Sequence, residues 1–246
     1  MEIYVRNIVF ACPDVEVLGS FYSRLLGMQV MRTDWFVIAV DKNSSPRLAF
    51  DEDRDFRPPR LGDPENPQQL HLDILVDDVE AAEELVFGLG ATKLEQQHAG
   101  FRTYADPAGH PFCLHQEAGS SSPASGPGRI GRIVYDCFSP RSLASFYSEL
   151  IGMPVRREDS ERRVVISKGD DSRLDLGFQY AQFQPARWPD PRYPQQIHLD
   201  FHVDDGEKAQ ALAMQLGAIP LQPLGGSCPV FADPAAHPFC LCAPGQ

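Results

Sequence analysis

The chain has 246 residues, of which 43% are hydrophobic and 23% charged, and its net charge is −12. That length allows one or two domains with ordinary cores. The acidity argues against a nucleic-acid partner, because phosphate contacts need a basic face. No run approaches about 18 consecutive apolar residues, so no membrane-spanning helix and no membrane partner are expected. The opening MEIYVRNIVFACPD alternates like a strand and lacks the basic-then-apolar order of a secretory leader. The expectation is a cytoplasmic protein whose six cysteines stay reduced.

In chain order, residues 4–12 alternate as a strand, and Val15, Leu18, Phe21, Tyr22 and Leu25 then fall at helical spacing. Asp14 is placed to cap that helix and Gly27 to end it. Three β-type runs follow, Gln29–Arg32, Trp35–Val40 and Arg47–Asp51, and then a Pro-rich loop over 55–69. A second strand begins at His71. Its helix is capped by Asp77 or Asp78 and stops near Gly88 or Gly90. Runs at Lys93–Gln96, Phe101–Tyr104 and Pro111–His115 complete the unit. The order is therefore βαβββ, twice. EAGSSSPASGPG (117–128) comes next, a small-residue linker with few groups able to join a core. Gly126 to Gly131 fits G-x-G-x-x-G. A linker precedes it and strand-like alternation follows, so it lacks the setting a dinucleotide site requires.

The second half repeats the first. FYSRLLGM (21–28) recurs as FYSELIGM (146–153), PQQLHLDILVDD (67–78) as PQQIHLDFHVDD (194–205), and ADPAGHPFCL (105–114) as ADPAAHPFCL (232–241). Three blocks in one order mark a tandem duplication. The prediction is an α+β chain of two tandem domains, 1–116 and 129–246, each built from a pair of βαβββ modules.

These motifs resemble the vicinal-oxygen-chelate superfamily (glyoxalase, bleomycin-resistance and dioxygenase proteins), and within it the glyoxalase-like subgroup. The strand–Asp–helix–Phe-Tyr–LLGM opening, the H-L-D-x-x-V-D-D block and the closing D-P-x-x-H-P-F carry the likeness over nearly the whole chain outside the linker. The resemblance implies that paired modules curl into a cup-like mixed sheet with a divalent metal inside. It places the ligand positions of the first copy at Asn7, His71 and Cys113, and those of the second at Arg132, His198 and Cys240. Arg cannot ligate, Asn is a weak ligand, and the usual Glu is replaced by Cys in both copies. No cofactor is therefore expected, with two exceptions held open. Residues i and i+2 of a strand share a face, so His71, Cys113 and His115, or His198, Cys240 and Cys242, could form a zinc site. Packed thiols are the plainer alternative.

His71 and His198 are the candidate catalytic residues. Asp73 and Asp200 lie two residues on, where a His–Asp hydrogen bond is possible but not implied. The second copy reads as the more polar cup, gathering Arg132, Asp136, His198, Asp200 and His202. Either these groups face a ligand or Arg132 and Asp136 pair internally. Asn7 and Asp73 are the corresponding ligand contacts in the first copy. Trp188, in the Pro-rich stretch 183–196, is placed to line a lid or to pack between modules. The expected partner is a small molecule, held by a monomer or homodimer. Two functions stand open: a lyase, isomerase or oxygenase acting on an oxygen-bearing substrate, and a non-catalytic binding protein of the antibiotic-resistance type.

Overall fold

Asp14 accepts hydrogen bonds from the backbone N–H of Glu16 and Val17, both at 3.0 Å, and turns the chain from strand β1 (Ile3–Cys12) into helix α1 (Val15–Leu26). Gly27 ends that helix at φ 64°, a left-handed conformation that glycine adopts without strain. Strands β2 (Gln29–Arg32), β3 (Phe36–Ala39) and β4 (Arg47–Glu52) complete the first module. The second runs β5 (Leu70–Val76), α2 (Val79–Gly88), β6 (Thr92–His98), β7 (Phe101–Ala105) and β8 (Pro111–Gln116), with Asp78 as the helix cap. The third is β9 (Arg129–Cys137), α3 (Pro140–Ile151), β10 (Val155–Asp159), β11 (Arg163–Ser167) and β12 (Asp175–Tyr180). The fourth is β13 (Ile197–Val203), α4 (Gly206–Gln215), β14 (Ile219–Pro220), β15 (Val230–Ala232) and β16 (Pro238–Cys242). The computed structural model describes all residues except 33–35, 40–45, 61–62, 64–65, 99, 117–127, 171–173, 183–184, 186–189, 191–194, 225 and 244–246. Among the described residues no helix is long and apolar enough to cross a membrane.

The α+β class and the four βαβββ modules are as the sequence predicts. Which modules share a sheet is not. One eight-stranded sheet, here sheet A, has the order β14-β15-β16-β13-β1-β4-β3-β2, and the other, sheet B, has β10-β11-β12-β9-β5-β8-β7-β6. Each sheet thus takes one module from each half of the repeat: the first pairs with the fourth, the second with the third. The seams are antiparallel, β1 against β13 from Ile3↔Val203 to Phe10↔Ile197, and β5 against β9 from Leu70↔Tyr135 to Leu75↔Arg129. Alternation then divides each strand between two faces. On β5, Leu70, Leu72, Ile74 and Val76 join the buried core with Ile133 and Tyr135 of β9, leaving His71, Asp73 and Leu75 on the other, concave face.

The D-P-x-x-H-P-F block fastens the two sheets together. Asp106 Oδ1 accepts from the backbone N–H of Ala108 and His110, and its Oδ2 accepts from the Tyr22 hydroxyl at 2.9 Å. His110 Nδ1 lies 3.1 Å from the same carboxylate. Tyr22 belongs to α1, beside sheet A, and Asp106 to the β7–β8 turn of sheet B. The second copy repeats the arrangement with Tyr147, Asp233 and His237, at 3.0 Å for both side-chain contacts. Both Asp–His pairs are fully buried. Asp233→Ala removes the acceptor of a phenol, of the His237 Nδ1 and of two backbone N–H groups, and is expected to cost about 3–5 kcal/mol in urea unfolding. A loss under about 1 kcal/mol would show that the contact is dispensable.

The PQQ blocks hold the seam from its ends. The Gln69 carbonyl accepts from Asp136 N at 2.9 Å, and the Gln196 carbonyl from Ala11 N at 3.0 Å. The Gln196 side chain reaches Pro67 O at 2.9 Å. One expectation fails in sheet A: the cysteines are not all reduced. Cys228 and Cys242 form a disulfide, while Cys12, Cys113, Cys137 and Cys240 are free thiols. The physical reason is register: β15 and β16 pair Val230 with Cys240, and the next facing position sets Cys228 against Cys242.

Candidate functional site

The concave face of sheet B is built around one buried carboxylate. Asp73 on β5 registers with Arg132 on β9 and Cys113 on β8. Its Oδ2 accepts from Arg132 Nη1 at 2.9 Å, with Arg163 Nη2 at 3.6 Å, and its Oδ1 lies 3.1 Å from His115 Nε2 and 3.5 Å from His71 Nε2. Cys113 closes the group, with its sulfur, the His71 ring and the Asp73 carboxylate all within 4.8 Å of one another. Thr103 Oγ1 sits 3.6 Å from that sulfur. Gly177 lies opposite Val134, and a Cβ there would meet Arg132 Cδ at 2.7 Å, so the missing side chain makes the bed for the arginine stem.

Electrostatics follow from this packing. Burial pushes Asp73 up, but hydrogen bonds from His115 and His71 outweigh it and hold the carboxylate far below its usual range. Burial pushes both imidazoles down, and their bonds to Asp73 and Cys113 raise them, His71 to about 10 and His115 to about 9. Burial raises the Cys113 thiol, while His115 and His71 draw it down to about 7. A histidine raised in this way contributes stability that is complete below its unfolded value of 6.5 and is lost as pH climbs through about 9. Asp73→Asn is therefore expected to return His115 toward 6.5, read by NMR titration of its ring protons. The stability gap to wild type should be widest at about pH 6 and smaller at about pH 9.5. A His115 titration that does not move would break the assignment.

A cavity of about 350 Å³ opens on this face, lined by Asp73, Leu75, His115, Arg129, Gly131, Arg132, Arg157, Asp170 and Asp175. That volume suits a small molecule. One buried donor in its wall, Arg132 Nε, has no hydrogen-bond partner among the described residues, while His115 Nε2 is taken up by Asp73 at 3.1 Å. Above them Asp136 accepts from Gln68 Nε2 at 3.0 Å and from Gln179 Nε2 at 2.6 Å, and Gln68 Nε2 also stands 3.0 Å from His71 Nδ1. Burial nonetheless keeps the Asp136 carboxyl above its usual range. The internal Arg132–Asp136 pair considered from sequence is not formed, because Arg132 pairs across the seam with Asp73, its register partner on β5.

Sheet A holds the other half of the predicted residues. Asn7 Nδ2 donates to Asp200 Oδ2 at 3.0 Å, and His198 Nε2 lies 3.4 Å from Asp200 Oδ1. Cys240 registers with Asp200, and the His202 ring meets that of Tyr4 at a tilt, with centroids 4.8 Å apart. The predicted second-copy cup is thus divided. Arg132 and Asp136 face His71 and Asp73 in sheet B, whereas His198, Asp200 and His202 face Asn7 in sheet A. The ligand triplets divide likewise, into Arg132–His71–Cys113 and Asn7–His198–Cys240. The cause is the exchange of modules between halves. Of the zinc sets, His71, Cys113 and His115 do come together, while Cys242 is taken by the disulfide. Trp188 and most of its loop lie outside the described residues.

A hard divalent metal of the kind the resemblance implies does not fit these positions. Arg132 occupies one of them in sheet B and already supplies the positive charge opposite Asp73. Neither closing strand carries a carboxylate there. Sequence reasoning missed Gln68, Gln179, Arg157 and Arg163. Arg157, Arg163 and Gln179 come from the third module, which only the exchanged pairing brings near, while Gln68 reaches His71 from the lead-in to the same strand, β5.

A family described as the glyoxalase-like domain matches residues 7–115 and again 132–242. The fold is shared with a variant of glyoxalase I from Zea mays at a TM-score of 0.69 and 16% identity, over 98% of this chain and 94% of that one. It is shared also with a candidate dioxygenase from Bacillus subtilis, at 0.65 and 14%, over 98% and 85%. The cppA protein of Streptococcus pneumoniae TIGR4 follows at 0.55 and 14%, over 99% and 100%. No curated protein sequence matches the chain. At such identities the structures speak for fold alone, and the two matched segments show that the chain belongs to the glyoxalase-like domain family, present here as a tandem pair.

Proposed function

We propose that the cup of sheet B binds a small, oxygen-rich anion without a divalent metal, with Arg132 standing as the fixed cation. The observation that carries this is the buried, unpartnered donor Arg132 Nε in the wall of a cavity of about 350 Å³. A buried donor without an acceptor is rare and costly in a finished fold, and a carboxylate or polarised carbonyl would satisfy it. On this reading His115 is the acid–base group, since it lines the cavity, and His71 stands behind it, 8% exposed. That arrangement supports proton transfer next to a carbonyl, which is isomerase or lyase chemistry.

The test is a thermal-shift and titration panel of small α-keto acids, α-hydroxy acids and malonate against their uncharged amides. The acids should stabilise the protein and the amides should not, and solvent deuterium should exchange into a bound keto acid. His115→Gln should stop the exchange and spare the binding. Binding without exchange across the panel would favour the second reading, a protein that holds its ligand without turnover. No preference for acids over amides would sink the anion site.

A further inference from the structure

Arg132 has a neighbour in the cup wall that also holds an unused atom. Asp175 on β12 registers with Arg132 on β9 and lines the same cavity. Registered residues on adjacent strands share a face. Asp175 Oδ2 lies 3.3 Å from Arg157 Nε, but its Oδ1 is buried and has no hydrogen-bond partner among the described residues. Arg157 is divided among several acceptors. Its Nη1 stands 3.3 Å from Asp170 Oδ1, and its Nη2 donates to the Gly169 carbonyl at 2.6 Å. The cup therefore presents a spare donor on Arg132 and a spare acceptor on Asp175, on neighbouring strands. The charge is arranged the same way. At one end a single carboxylate, Asp73, faces Arg132, Arg163 and two histidines. At the other, Arg157 is shared by Asp170 and Asp175. In sheet A the two corresponding register positions hold Asn7 and Arg47, so this donor–acceptor doublet is particular to sheet B.

We propose that the occupant of the sheet B cup is an amino acid, its carboxylate on Arg132 Nε and its ammonium on Asp175 Oδ1. This rests on the anion reading above and narrows it: the anionic group has a cationic neighbour on the same molecule. The acceptor is itself a carboxylate, which sharpens the choice. An ammonium meets it with charge and a hydrogen bond, and a hydroxyl with the hydrogen bond alone. A methylene leaves it bare, and a keto oxygen sets a second acceptor against it.

The experiment titrates the full chain calorimetrically with two matched sets of acids: alanine, lactate, pyruvate and propionate, and aspartate, malate, oxaloacetate and succinate. Within a set the members differ in the group beside one carboxylate. In at least one set the amino acid should bind at least about tenfold tighter than the unsubstituted acid. The hydroxy acid should fall between them and the keto acid at the bottom. Asp175→Asn should invert the order. Arg157 can only donate, so it holds the amide oxygen and leaves the NH₂ facing the cavity, where it suits a keto oxygen and repels an ammonium. Should that variant fail to fold, the wild-type order still decides. If the acids bind and amino acids hold no advantage, this inference is lost and the anion site stands. An amino-acid advantage that persists in folded Asp175→Asn also overturns it, because Asp175 is then not the group that reads the ammonium. If no member of either set binds, the anion site and this inference fall together.

Discussion

Expressed alone, residues 1–116 are expected to form a dimer and not a folded monomer. In the intact chain the seam edge of β1 is covered by β13 and that of β5 by β9, both from the other half. The isolated half keeps β1 and β5 with those edges bare, and an unpaired central strand is a template for another chain. The linker-distant partners β9 and β13 are the repeat counterparts of β1 and β5, so a second copy of the half offers suitable edges. Two copies can set β1 against β5 of the other copy twice and rebuild both sheets by an isologous contact. Size-exclusion chromatography with light scattering should give twice the fragment mass at all concentrations where it stays folded. A stable, cooperatively unfolding monomer would mean that modules of one half can close on each other, and the seam argument would be wrong. Such a dimer would also assemble Asn7, His71 and Cys113 in one cup, the triplet that the intact chain keeps apart.

Arg132→Met should be the most damaging single change at the site. Methionine keeps the unbranched stem that lies over Gly177, so packing is largely preserved. What is lost is the charge 2.9 Å from Asp73, a carboxylate whose side chain is 4% exposed. Breaking a buried pair from one side leaves the other charge uncompensated. The two histidines and Arg163 still face Asp73, so the cost should fall near the lower end for such pairs, about 2–4 kcal/mol in urea unfolding. Stabilisation by malonate should vanish altogether. The reverse charge test is informative too: Arg132→Met combined with Asp73→Asn should recover most of the lost stability and none of the binding. If the double variant is no more stable than the single one, Asp73 is not the group that Arg132 compensates.

The elements were largely legible because each is signalled locally. Asp14, Asp78 and Asp205 cap their helices through their own side chains, and Gly27 and Gly152 end theirs at positive φ. Alternation on H-L-D set His71 with Asp73, and His198 with Asp200, on one face, and the structure brings both pairs to contact distance. What could not be read was which module meets which. The β1–β13 and β5–β9 seams have the same parity and the same apolar faces as β1–β5 and β9–β13 would have. Nothing local distinguishes them, so the site's arginine and its histidine were assigned to different cups. Cys228 was missed for a related reason: it precedes the short strand β15, and only strand register sets it against Cys242.

The exchange of modules gives the two cups a freedom that a dimer of single repeats lacks. In such a dimer both pockets come from one stretch of coding sequence, and any change appears in both. Here β5 and β9 serve one cup while β1 and β13 serve the other, so a substitution is felt on one side only. Arg132 could replace a neutral residue without putting a charge opposite Asp200, and Cys228 could arise without displacing Phe101, which stacks on His115 at 5.0 Å. Neither cup can be discarded, since each half supplies a wall to both. The chain is in effect a heterodimer fixed in covalent form, free to specialise its pockets and unable to shed one.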